Sequence, residues 1–113
     1  MLSPLAHNIR MIHKNDYYDY IEKLKKLQDY YDVADIDGIT PLFLSLQYSI
    51  INDKLLCLFK VICEFKHQNN TSFDDFNKNM STVKNVYPFY YVELVNKIKR
   101  TITNEDIIKK LNI

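Results

Sequence analysis

Tyr17, Tyr20, Ile21, Leu24 and Leu27 recur at the i, i+3, i+4, i+7 interval of a helix with one apolar face, and Asp19, Glu22, Lys23, Lys25 and Lys26 occupy the other side. Glu22 and Lys26 add a favourable i, i+4 pair. The pattern predicts a helix over about Asp16 to Gln28, capped by Asn15-Asp16. A shorter helix over about Pro4 to His13 precedes it. There Ser3 can cap, and Pro4 suits the first helical position because its missing N–H would have no partner there. The plan then returns in a more apolar cast, with helices over Pro41 to about Ile51 and Asp53 to about Lys66. In the last of these Leu55, Leu56, Leu58, Phe59, Val61, Ile62 and Phe65, with Cys57 and Cys63, leave few polar positions. Such a helix needs neighbours on more than one side, which makes it the expected centre of the domain.

From His67 to about Lys84 the chain turns polar and rich in Asn, and it reads as an extended loop with a short turn pinned by Phe73 and Phe76. Tyr87-Pro88-Phe89 restarts the helical pattern. A helix from Pro88 to about Arg100 is predicted to bury Phe89, Val92, Val95 and Ile98. Thr103 then caps a last helix with Glu105 and Asp106 at its start and Lys109 and Lys110 at its end, as the helix dipole favours.

Two of these helix pairs repeat. Ser3-Pro4-Leu5 returns as Thr40-Pro41-Leu42 and Asn15-Asp16 as Asn52-Asp53, both at an offset of 37 residues. The fold class is therefore all-α: stacked antiparallel helix pairs in a single domain over 1–113. Its units lie at about 3–37, 38–67 and 87–113, with a long loop over 67–86.

Asp35-Ile36-Asp37-Gly38-Ile39-Thr40-Pro41-Leu42-Phe43 resembles the opening of an ankyrin repeat, D-x-x-G-x-T-P-L-H, and Asn52-Asp53-Lys54-Leu55-Leu56 with Leu58-Phe59 resembles that family's second helix. Asp32-Val33 is similar to the close of a preceding repeat. The match is good over about 30–62, suggestive over 3–30 and poor beyond 67. The chain departs from the pattern at Phe43, which replaces a histidine, and at Ile50-Ile51-Asn52 and Asn69 or Asn70, which replace glycines. The resemblance implies an ankyrin-like array of two to three units whose finger turns and first helices line a concave face. On that face it implies Tyr30, Tyr31, Ile36, Phe43 and Tyr48 as protein-contacting residues. The bias toward Asn, Lys, Ile and Tyr resembles proteins of AT-rich genomes, including large DNA viruses.

Composition narrows the function further. One glycine, Gly38, and 47% apolar residues suit helices joined by Asn and Asp turns, and disfavour a β-sandwich or a disordered chain. A formal net charge of +1 gives little long-range steering, so a nucleic-acid partner is not favoured. The charges are nonetheless segregated, with Asp29, Asp32, Asp35 and Asp37 in one stretch and Lys97, Lys99, Arg100, Lys109 and Lys110 near the C-terminus. Cys57 and Cys63 lie six apart in an apolar helical run, cannot bridge, and read as two reduced, buried thiols of a cytoplasmic or nuclear protein. No secretory h-region and no membrane-length apolar run is read.

His7, His13 and His67 lack metal-ligand spacing, a single glycine makes no phosphate loop, and no cofactor is expected. The expectation is a non-enzymatic protein-interaction module or adaptor, a viral or parasite factor binding a host protein, with no small-molecule substrate and no membrane. Two alternatives come from other classes. One is a helical nucleic-acid binder using the basic pair over 88–113. The other is a self-assembling structural protein, since two or three repeats are marginal alone.

Overall fold

The computed structural model describes residues 3–113. Seven α-helices are found among them and no strand: α1 (Pro4–Arg10), α2 (Tyr18–Lys25), α3 (Pro41–Gln47), α4 (Leu55–Gln68), α5 (Asp74–Val86), α6 (Pro88–Thr101) and α7 (Glu105–Lys110), with 3-10 turns at Gln28–Tyr30 and Tyr48–Ile50. The all-helical expectation is met. α1 and α3 start as the sequence predicts. The Ser3 hydroxyl accepts from Ala6 N at 3.1 Å and Thr40 Oγ1 from Phe43 N at 3.1 Å, each just before a proline at the first helical position.

The second helices begin differently. α2 and α4 have no side-chain cap, and the Asn-Asp pairs hold the turns instead. The Asp16 carboxylate accepts from His13 N at 2.8 Å. Asn52, buried, donates from Nδ2 to His13 O at 3.0 Å and Asp16 O at 3.1 Å, and so ties the second turn to the first.

α1 packs on α3 and α2 on α4, pair upon pair. All residues from Pro41 to Leu46 are buried, which places α3 inside the stack. α4 touches α2, α3, α6 and α7, so it is the centre its apolar circumference predicts. It ends at Asn70, whose φ of +53° is left-handed. Thr71 N donates back to Lys66 O at 2.9 Å and Asn70 N to His67 O at 3.3 Å, so Asn70 takes the role that glycine often has at a helix end.

The expected loop over 67–86 is corrected: Asp74–Val86 is a 13-residue helix. It forms a tight hairpin with α6 across Tyr87 and packs on α3. Phe73, Phe76, Met80 and Val83 make its inner stripe, with Phe76 stacked at tilted angles on Phe43 and Phe59. The third pair is consequently α5–α6, and the unit placed at 87–113 is displaced.

The pair starts now fall in register. Pro4 and Tyr18, Pro41 and Leu55, and Asp74 and Pro88 are each 14 residues apart. Successive pairs are offset by 37 and then 33, because the α2–α3 connection has 15 residues against 5 between α4 and α5, while α2 has 8 residues against 14 in α4.

Three smaller expectations also change. α6 buries Leu94 and Ile98, with Tyr91 and Val95 half-buried, and turns Phe89 and Val92 outward. Asn104, not Thr103, caps α7, its Oδ1 accepting from Asp106 N at 2.9 Å. Cys57 is exposed and only Cys63 is buried, because Cys57 lies with Lys60 and Glu64 on the exposed strip of α4. α7 folds back on α4. Asn77 of α5 holds the tail by donating to Lys110 O at 3.0 Å and accepting from Asn112 N at 2.9 Å.

Candidate functional site

The α2–α3 connection ends in a tight finger over 35–39. Asp35 N donates to Ile39 O at 2.9 Å and Gly38 N to Asp35 O at 3.0 Å, while Asp35 Oδ1 accepts from Asp37 N and Ile39 N, both at 2.9 Å. Gly38 has φ +77°, and a Cβ there would meet nothing within 4 Å. Its glycine is therefore required by backbone conformation rather than by space.

Side chains pin the finger from both neighbouring pairs. On the α1 side Arg10 donates to Asp35 Oδ2, from Nε at 2.8 Å and also from Nη2. On the α5 side Asn79 Oδ1 accepts from Thr40 N at 3.2 Å and Thr40 Oγ1 at 3.3 Å, and Asn79 Nδ2 donates to Gly38 O at 3.4 Å. Partial burial pulls the Asp35 carboxyl upward, but the bonds from Ile39 N, Arg10 and Asp37 N outweigh it and hold the group below its ordinary range.

A depression lies on each side of the finger. Ser3, His7 and Arg10 face Asp35–Asp37 across the smaller one. The larger, a groove of about 510 Å³, runs between the finger and α5, with Ile39, Phe43 and Val83 as apolar lining and Asp37, Asp75, Lys78 and Thr82 as polar edges. Phe43 is 4% exposed, so it shapes the groove floor rather than standing out as a contact. Ile36 is 89% exposed at the finger tip. Tyr48 is half-buried at the end of α3, beside Arg10 and Tyr90.

Tyr30 and Tyr31 do not join this face. Tyr31 is 1% exposed, donates its hydroxyl to Lys25 O, and sets its ring edge-on to Phe65 of α4 at 5.1 Å. Tyr30 is half-buried against the core. Following the 3-10 turn at Gln28–Tyr30, Tyr31 is turned inward onto α4, which corrects it as a contact residue.

Half of the acidic stretch is likewise structural. Asp35 pairs with Arg10, and Asp32 pairs with Lys66, which is itself buried and lies 5.4 Å from the Phe73 ring centroid. The α5 side of the groove was not legible, because Asp75, Lys78, Asn79 and Thr82 lie in the segment read as loop. Only the spacing of Phe73, Phe76, Met80 and Val83 signals a helix there.

Among the described residues, no group of three or more His, Cys, Asp or Glu side chains is arranged to hold a metal ion. No helix among them is long and apolar enough to cross a membrane. No protein-family model matches the chain, and neither a curated protein nor a solved structure shows significant similarity to it.

Proposed function

We propose that the chain is a non-enzymatic, ankyrin-like protein-binding module that engages its partner with the finger and the groove beside it. The observation that carries this reading is Ile36, almost fully exposed on a turn that hydrogen bonds hold from two sides. A large aliphatic side chain presented by a fixed backbone loses little conformational freedom on binding, which is what an interface anchor requires. The ankyrin-like arrangement is supported by the constant 14-residue spacing within pairs and by the interval of 33 between the second and third. Of the residues the resemblance implied, Ile36 stays as a contact with Phe43 as floor and Tyr48 at the margin, and the groove edges Asp75 and Lys78 join them in place of Tyr30 and Tyr31. In this reading the chain acts inside a cell, as a viral or parasite adaptor for a host protein.

The test is capture from cell lysate with the native chain and with Ile36→Asp. Replacing so exposed a residue should leave stability within about 0.5 kcal/mol. The expected result is a defined protein held by the native chain and lost by the variant. A partner held equally by both overturns the assignment of the finger.

A further inference from the structure

α6 presents a second apolar face that the finger does not use. Leu94 and Ile98 are buried, whereas Phe89, on the opposite side, is 90% exposed and Val92 beside it is exposed as well. At the corner between α5 and α6, Phe89 joins Val86, Tyr87, Pro88 and Tyr90 around a shallow cleft of about 410 Å³ lined almost entirely by apolar atoms.

The charge around this face has one predominant sign. Following Phe89 along the helix, the exposed positions are Glu93, Asn96, Lys99 and Arg100, and Lys84 stands just before the corner, 5.5 Å from the Tyr91 ring centroid. Lys97 reaches Asp53 only at 3.8 Å, and Lys99 and Arg100 make no ion pair among the described residues. No side chain caps the start of α6 and no acidic residue stands in its first turn, so no carboxylate beside the cleft opposes an acidic partner. Arg100 follows Phe89 by 11 residues, about 16 Å along the axis at 1.5 Å per residue.

We propose that this face is a second docking site, for an acidic amphipathic helix of a partner protein. A large apolar side chain of the partner fills the Val86–Tyr90 cleft, and carboxylates about three turns farther on meet Lys99 and Arg100. The face suits a helix better than a lipid surface. On α6 itself Glu93 and Asn96 separate the apolar end from Lys99 and Arg100, and Lys84 of α5 is the one basic residue beside the cleft, whereas a membrane-seated helix places Lys and Arg beside its apolar residues along its length.

The test titrates the full chain into a labelled amphipathic helical peptide bearing Phe and Leu at one end and Glu three turns on. A counterpart with Lys in place of Glu and vesicles containing phosphatidylserine are run beside it. The acidic peptide should bind, more weakly as salt rises. Its affinity should fall about tenfold in Phe89→Ser and about tenfold in the Lys99→Glu/Arg100→Glu double variant, roughly 1.4 kcal/mol each. Unchanged circular dichroism and melting show that these surface variants are folded.

Ile36→Asp must leave the binding intact; loss there would put the peptide in the finger groove and remove the α6 site. Equal binding of the Lys peptide, indifference to Phe89→Ser, or capture of vesicles but not peptide overturns the proposal. So does a native dimer that Phe89→Ser dissociates, which would assign the face to a second copy.

Discussion

Asp35 accepts bonds that a protonated carboxyl could not all receive. Its folded pKa is held below the unfolded value, so the stabilisation is present above about pH 4 and is lost as pH falls through the folded pKa. Asp35→Asn should cost on the order of 1–2 kcal/mol at neutral pH and weaken the acid dependence of the melting temperature, measured by thermal scans from neutral to acidic buffer. An unchanged acid limb would show that the finger carboxylate does not contribute. Tyr31 makes the opposite kind of contribution, through buried ring area. Tyr31→Ala should cost about 3–5 kcal/mol and Tyr31→Phe about 1 kcal/mol in urea unfolding, the difference separating ring packing from the bond to Lys25 O. Which of two adjacent tyrosines turns inward is not legible along the chain, because it depends on the 3-10 turn that holds Tyr30 and on Phe65, 34 positions from Tyr31.

Among the elements, α1 and α3 were readable from their own residues: a hydroxyl, a proline and an apolar run are local chemistry that acts without a tertiary partner. α5 was not. Its N-cap residue, Phe73, supplies no cap and only Ser72 Oγ accepts from Asp74 N at 3.0 Å, its composition is polar, and its apolar positions gain from helix formation because neighbouring helices such as α3 and α6 stand beside them. Phe76 is the test of that dependence. Phe76→Ala removes a ring packed between Phe43 and Phe59 and should destabilise the chain by about 3–5 kcal/mol. Hydrogen exchange should show the α5 amides losing protection in that variant while those of α2, with no such contact, keep more of theirs. α6 was legible as a helix but not in its rotation. Phe89/Val92 and Leu94/Ile98 are both apolar stripes at helical spacing, and the packing of α3, α4 and α5 selects between them. The Asn79 bonds to Thr40 and Gly38 were hidden for the same reason, since nothing in a polar segment announces a buried amide.

Over the whole molecule, the three pairs keep one internal spacing while the connections between them vary. The extra length in the α2–α3 connection is what lets the finger reach over α1 without disturbing the stack. The centre of that stack also carries two thiols six residues apart on α4, Cys57 in water and Cys63 sealed, with burial pushing the Cys63 pKa up and removing its reactive thiolate. The chain thus holds an internal clock. A small alkylating reagent should modify Cys57 at once and Cys63 only at the rate at which the stack opens, so the ratio of the two rates, read by mass spectrometry, reports how often the centre is exposed. Equal rates would mean that the centre is not closed. A bound partner that steadies the array should slow the second reaction and leave the first untouched.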